Sequence, residues 1–311
     1  MRVVFMGTPE FAVPTLKVLL EDENIEVVGV FTQQDKPKGR GKKLAMPPVK
    51  ELALENNLEV FQPEKIKTSD SVALLKELNP ELIIVVAFGQ ILSKEILDIP
   101  KYGCINVHAS ILPAYRGAAP INWAIIKGEK TSGVTTMFMD IGLDTGDMIY
   151  KEYVEISEED NSSTLHDKLS SAGYTVLKKT IDNLKKGDLP REKQIEEESS
   201  YAPIMDKSLG KVNWKNSAED IYNLVRGVIP WPGAHTTIND DVMKIWGVKK
   251  SSKKTDKAPG MIIDVTQEGI YVATNDGVVV IDEIQMPNKK RMPVKEYLKG
   301  NKIELGIVLG E

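Results

Sequence analysis

The sequence predicts an α/β protein: an N-terminal doubly wound, Rossmann-like domain followed by a small C-terminal β-barrel of the OB-like kind. Three observations predict it. The first half holds short, almost uninterrupted apolar runs such as Leu82-Ile83-Ile84-Val85-Val86, the mark of strands buried on both faces of a parallel sheet. Those runs alternate with helical patterns, as a doubly wound sheet requires. From Lys207 onward the signal changes to short strands broken by turn residues, which suits a small barrel.

The elements follow in order. Arg2-Val3-Val4-Phe5-Met6 reads as a buried strand and residues 11–20 as an amphipathic helix. Val27-Val28-Gly29-Val30-Phe31 is the next strand, then a helix over 49–56, a short strand at Val60-Phe61, a helix over 69–78 and the strand 82–86. Cys104-Ile105-Asn106-Val107 and 134–139 read as strands, with a helix opening at Pro120 between them. A helix over 163–186 is closed by Gly187 and Pro190. The aperiodic, charged stretch that follows predicts a linker over 191–206, between a catalytic domain at 1–190 and a barrel domain at 207–311. The barrel is expected from a helix over 218–226 and strands near 234–238, 243–248, 260–265, 269–274 and 277–284. Trp231, set in Pro230-Trp231-Pro232, is expected to pack in the core or between domains.

At 311 residues the chain can bury a core in each of two domains. A hydrophobic fraction of 41% and a charged fraction of 27% exclude a disordered or collagenous protein. The longest apolar runs are strand-sized, so no membrane span is expected, nor is a leader peptide. The single cysteine, Cys104, excludes an internal disulfide and multi-cysteine zinc sites, and suits a reducing, cytoplasmic setting. The net charge of -5 is uneven: residues 207–311 carry 16 Lys and Arg against 13 Asp and Glu, a surplus of 3, while 1–206 stand at -8. A mildly basic end on an acidic body is compatible with a polyanion-binding module.

The first glycine turn, Gly7-Thr8-Pro9-Glu10-Phe11-Ala12, lacks the second and third glycines of a dinucleotide fingerprint and reads as a tight strand-to-helix turn. Chemistry concentrates instead in the run from Cys104 to Pro120. Residues two apart on a strand face one side, so Asn106 and His108 can aim at one point. The loop Asp140-Ile141-Gly142-Leu143-Asp144-Thr145-Gly146-Asp147 brings acids to a neighbouring strand end. An imidazole can accept a proton near neutrality, a carboxylate can fix its tautomer, and a side-chain amide can donate to an oxyanion. Asn106, His108 and Asp144 supply one of each. The same residues also suit a hydrogen-bonded core histidine and turn-forming acids.

Asn106-Val107-His108, followed by Ser110-Ile111-Leu112-Pro113, Arg116-Gly117-Ala118-Ala119-Pro120 and Gly142-Leu143-Asp144-Thr145-Gly146-Asp147, resembles the signature of the 10-formyltetrahydrofolate-dependent formyltransferases. The likeness extends from Met6-Gly7-Thr8-Pro9 over essentially the whole chain, with Ile111 where the family often has Leu, a volume-conserving difference. It implies a formyltransferase domain followed by the barrel, 10-formyltetrahydrofolate as formyl donor, tetrahydrofolate as product, and no metal. It makes His108 and Asp144 the paired catalytic residues, with Asn106 on the formyl oxygen. Ser110, Ile111, Leu112 and Pro113 would line the folate pocket, with Phe88, Gln90 and Ile91 on its other side.

The stretch 34–44 holds five basic residues, Lys36, Lys38, Arg40, Lys42 and Lys43, and reads either as a solvated loop or as a phosphate-wrapping one. The resemblance favours the second, because family members acting on aminoacyl-tRNA carry such a loop. It implies initiator Met-tRNA as acceptor, with Arg40 as the key contact beside Lys38, Lys42 and Lys43. Lys249-Lys250, Lys253-Lys254, Lys257 and Lys289-Lys290-Arg291 would add a basic face on the barrel. A monomer is expected. The rivals are a formyltetrahydrofolate hydrolase, an amino-sugar nucleotide formyltransferase and a catalytically silent tRNA-binding protein.

Overall fold

The structure, a computed structural model, describes residues 1–38 and 43–310, and backbone only at Lys38 and Lys43. Contacts divide the chain into two compact units, one made of Met1–Gly117, Thr131–Glu155 and His166–Ala202, the other of Ala118–Lys130, Ile156–Leu165 and Pro203 to the C-terminus.

The first unit is built on a seven-stranded sheet. In chain order come β1 (Arg2–Gly7), α1 (Val13–Leu20), β2 (Glu26–Phe31), β3 (Lys36–Lys38), β4 (Lys43–Ala45), α2 (Pro48–Glu55), β5 (Val60–Phe61), α3 (Ser69–Leu78), β6 (Leu82–Val86), α4 (Lys94–Leu97), β7 (Cys104–His108) and β8 (Arg116–Gly117). The order across the main sheet is β5, β2, β1, β6 and β7, all parallel, then β9 (Thr131–Phe138) and β10 (Met148–Glu155), each antiparallel to its neighbour. The sheet is therefore mixed. The wholly apolar strands sit at its centre because both of their faces are covered. Val4, Met6, Ile83 and Val85 join Val72 and Leu75 of α3 in one cluster, while the intervening Val3, Phe5, Leu82 and Ile84 are buried on the opposite face. The hairpin β3–β4 pairs Lys38 with Lys43, and the expected phosphate-binding residues Arg40 and Lys42 lie outside the described residues.

The second unit packs α5 (Pro120–Ile126) with α7 (Ala218–Gly227), which the Ser217–Asp220 capping box opens. Between them in the chain come helix α6 (Ser162–Lys186), which belongs to the first unit from His166 onward, and β11 (Tyr201–Ala202), also of the first unit. The C-terminal antiparallel sheet holds β12 (Ala234–Ile238), β13 (Asp241–Ser251), β16 (Val278–Gln285), β15 (Gly269–Ala273) and β14 (Ile262–Thr266) in that order. The short β17 (Met292–Pro293) pairs with β16 and leads into α8 (Val294–Tyr297). Its ladders leave β12 and β14 as edges. The last residues join those edges: Ile262 N donates to Ile307 O at 2.8 Å, Leu309 N to Gly260 O at 2.8 Å and Gly310 N to Thr237 O at 3.0 Å. An irregular terminal segment thus bridges the two edges of the sheet.

The two units are not cut from the chain at single points. Residues 118–130 sit with the C-terminal sheet, because Ala119, Trp123 and Ile126 find their apolar partners in the core that contains Val225 and Leu224. The stretch expected to be a linker is tied to the first unit as far as Ala202. Strand β10 went unpredicted, since an edge strand bearing Lys151 and Glu152 has no continuous apolar run. Trp231, expected to pack, is 51% exposed.

Candidate active site

The site forms where β7 ends. Alternation along β7 turns Val107 toward Gly173 of α6, where a β-carbon on that glycine would meet the valine at 3.6 Å. Asn106 and His108 consequently face the other way. The loop between β9 and β10 brings Asp144 to them. Asn106 Nδ2 donates to Asp144 Oδ1 at 3.4 Å, and His108 Nδ1 stands 3.7 Å from Asp144 Oδ2, longer than a hydrogen bond. The Gly117 amide donates to Asp144 Oδ2 at 2.8 Å. The His108 and Asp144 side chains are only 7% and 12% exposed, so their interaction is little screened by water. His108 Nε2 lies 3.0 Å from the Tyr115 carbonyl oxygen, which can only accept. Each ring nitrogen thus faces an acceptor. A single ring proton satisfies one of them, and two satisfy both.

The three predicted catalytic residues are therefore brought together. The local sequence explains how. Asp140 Oδ1 accepts from Gly142 N at 2.9 Å and from Thr145 Oγ1 at 2.6 Å, folding the loop on itself. Gly146 passes so close to β9 that a β-carbon would fall 1.8 Å from Phe138 O. Asp144 itself takes φ 54°, in the left-handed region. Cys104, two residues before Asn106, is no rival nucleophile, because burial pushes its thiol up to about 12.

The predicted folate-pocket residues divide. Ser110 is buried and its hydroxyl donates to Ala114 O at 2.6 Å, while Thr135 Oγ1 donates to Ser110 O at 2.7 Å and accepts from Leu112 N at 3.1 Å. Ile111 lies over Gly133 of β9, and Leu112 packs in a small core with Met137 and Met148. Phe88 belongs to the sheet core, and Gln90 is committed to backbone, its Oε1 accepting from Ile66 N at 2.7 Å and its Nε2 donating to Pro63 O at 3.2 Å. Ile91 is 81% exposed, and Ile111 and Pro113 are half-buried.

The basic regions are more neutral than their sequence suggests. Lys249 pairs with Asp282 at 2.9 Å, Lys250 with Glu219 at 2.8 Å and Lys253 with Asp264 at 2.9 Å. Arg291 pairs with Glu283 and lies over the Trp246 ring. At the base of the β3–β4 hairpin, Lys50 donates to Asp35 at 2.9 Å and to Gln62 Oε1 at 2.7 Å. Among the described residues, no group of three or more His, Cys, Asp or Glu is placed to share a metal ion. Sequence reasoning missed Thr135 and Gln194, which carry no signal in periodicity or motif, and the amide of Gly117, a residue that stands in the quoted signature without a role assigned to it.

Comparison with known proteins bears on this geometry. A family model described as formyl transferase matches residues 1–181, and a second, formyl transferase C-terminal domain, matches residues 204–302. The chain is similar to a methionyl-tRNA formyltransferase of Clostridioides difficile strain 630, 60% identical with 100% of both chains covered. It is also similar to one of Clostridium tetani, 55% identical with 99% of each covered. Among solved structures, it shares its fold with WlaRD, a sugar 3N-formyl transferase crystallised with dTDP and 5-N-formyl-THF. The TM-score is 0.68 at 22% identity, over 93% of this chain and 99% of that one.

Proposed function

The chain belongs to the formyl transferase family, and on that footing we propose that it moves a formyl group from 10-formyltetrahydrofolate to the α-amino group of methionine esterified to initiator tRNA. The observation that carries the chemistry is the convergence of Asn106, His108 and Asp144 at one strand end. Likeness to relatives named for this acceptor, over the full length, supports the choice of Met-tRNA.

The residues divide the work. As the amine attacks the formyl carbon, the carbonyl oxygen gains charge, and the Asn106 amide is the donor positioned for it. His108, beside Asp144, takes the proton the amine must lose. Collapse breaks the bond from the formyl carbon to N10 of the folate, and that nitrogen leaves protonated as tetrahydrofolate. The Asp144 carboxylate keeps one oxygen on the Gly117 amide throughout, so it need not reorganise as charge develops. Folate is held by the segments 110–113 and 88–91, with Ile91 and Pro113 as apolar contacts. Arg40, Lys38, Lys42 and Lys43 are proposed to take the tRNA phosphates. Among the described residues no helix is long and apolar enough to cross a membrane. The protein is proposed to act as a monomer in the cytoplasm.

The test supplies 10-formyltetrahydrofolate with methionine on initiator tRNA, methionine on elongator tRNA, free methionine, or water alone. Formyl transfer selective for the initiator species is expected. Turnover with water alone, or equal transfer to free methionine, would remove the tRNA from the assignment.

A further inference from the structure

The segment 192–202 reads in sequence as a linker, yet it ties together both loops that meet at Asp144. Its backbone pairs Glu192 with Met148, and β11 runs parallel to β8. Between these anchors sits Gln194, half-buried, with every polar group engaged. Its Nε2 donates to the Asp144 carbonyl at 2.7 Å and to the Gly146 carbonyl at 2.9 Å. Its Oε1 accepts from Arg116 Nε at 2.9 Å. Two carbonyls on one side and a guanidinium on the other leave a single amide orientation that satisfies all three.

We infer that Gln194 is a positioning residue for the reaction: anchored on Arg116, its side-chain amide holds the backbone of Asp144, whose carboxylate the Gly117 amide binds. The inference rests on the reading of Asp144 as a catalytic group. Asp144 needs such a hold because its φ of 54° is unfavourable for a non-glycine residue and persists only where surroundings enforce it. Arg116 is fixed independently, its Nη1 on Glu196 at 2.8 Å and its backbone N on Ser200 O at 2.8 Å. Loss of the Gln194 amide therefore leaves the 192–202 segment attached and frees chiefly the 144–146 loop. Outer partners of this kind set the aim of a reacting group without touching substrate.

The experiment is a double-mutant cycle on the full chain, with 10-formyltetrahydrofolate and methionylated initiator tRNA. It compares Gln194→Met, Asp144→Asn and the pair, reading kcat, KM and thermal unfolding. Gln194→Met keeps the side chain's length and removes its hydrogen bonds. It is expected to lower kcat about 10- to 100-fold while each KM stays within about twofold. In the Asp144→Asn background it is expected to cost less than about twofold more, because the effect passes through Asp144. Gln194→Glu preserves the contact with Arg116 but sets carboxylate oxygens against two carbonyls, and should lose at least as much rate while remaining folded. A wild-type kcat in both Gln194 variants, or a loss of equal size with and without Asp144, would overturn the inference. A wild-type rate in Asp144→Asn alone would overturn the site itself, and this inference with it.

Discussion

The Asp144 carboxylate and the lysines at and just beyond the end of β13 carry their charge under opposite conditions. Asp144 is nearly buried and is met by a backbone amide and a neutral side-chain amide. Among the described residues no Lys or Arg salt bridge reaches it, which leaves the imidazole as its ionisable neighbour. Lys249, Lys250 and Lys253 are more exposed, and each is paired with a carboxylate of its own unit. Such pairs are worth little and are screened by salt. The difference teaches that residue counts are a poor guide to usable charge. One carboxylate held by dipoles can do more chemistry than three lysines can do binding.

Substitutions can break or sharpen that contrast. His108→Ala removes the proposed proton acceptor and is expected to lower the single-turnover rate of formyl transfer about 10²- to 10⁴-fold, with the fold checked by circular dichroism. Asn106→Ala removes the proposed oxyanion donor and should cost about 10²-fold in kcat by the same assay. On the binding side the effects are smaller. If Lys289 or Lys290, both exposed, meets a phosphate, its alanine variant should reduce the salt slope of tRNA binding by about 1. Lys249→Ala should leave that slope unchanged, because Asp282 already holds this ammonium and raises its pKa. An equal change at both positions would erase the distinction.

The least effect is expected at the hairpin base. The Gln62 amide and then the Lys50 ammonium hold the Asp35 carboxyl below the usual carboxylate range. A native pKa below the unfolded one contributes stability above about pH 4, which is lost as pH falls through the lowered value. Asp35→Asn should therefore be less stable than the parent at pH 7, and the gap should close in strong acid. Urea denaturation across pH reads this directly, and a gap independent of pH would contradict it.

Residue type made the candidate trio legible, and the fold brings its members together. Asn106 and His108 sit two apart on an apolar strand, and Asp144 lies between glycines that only a tight loop requires. The central strands were equally plain, since burial on both faces leaves an unbroken apolar run. What escaped had no such imprint. Edge strand β10 is half polar because one side meets water. Gln194 acts through backbone carbonyls, which any sequence provides. The pairing of Lys249 with Asp282 spans strands far apart in the chain, so the sequence displays the lysine and hides its partner.

The most direct test of the central claim is the single-turnover rate of Asp144→Asn with both substrates saturating. This variant keeps the size of the side chain and removes its charge. The account predicts a loss of about 10²-fold or more, with the fold and substrate binding retained. A rate near that of the parent would show that the chemistry resides elsewhere.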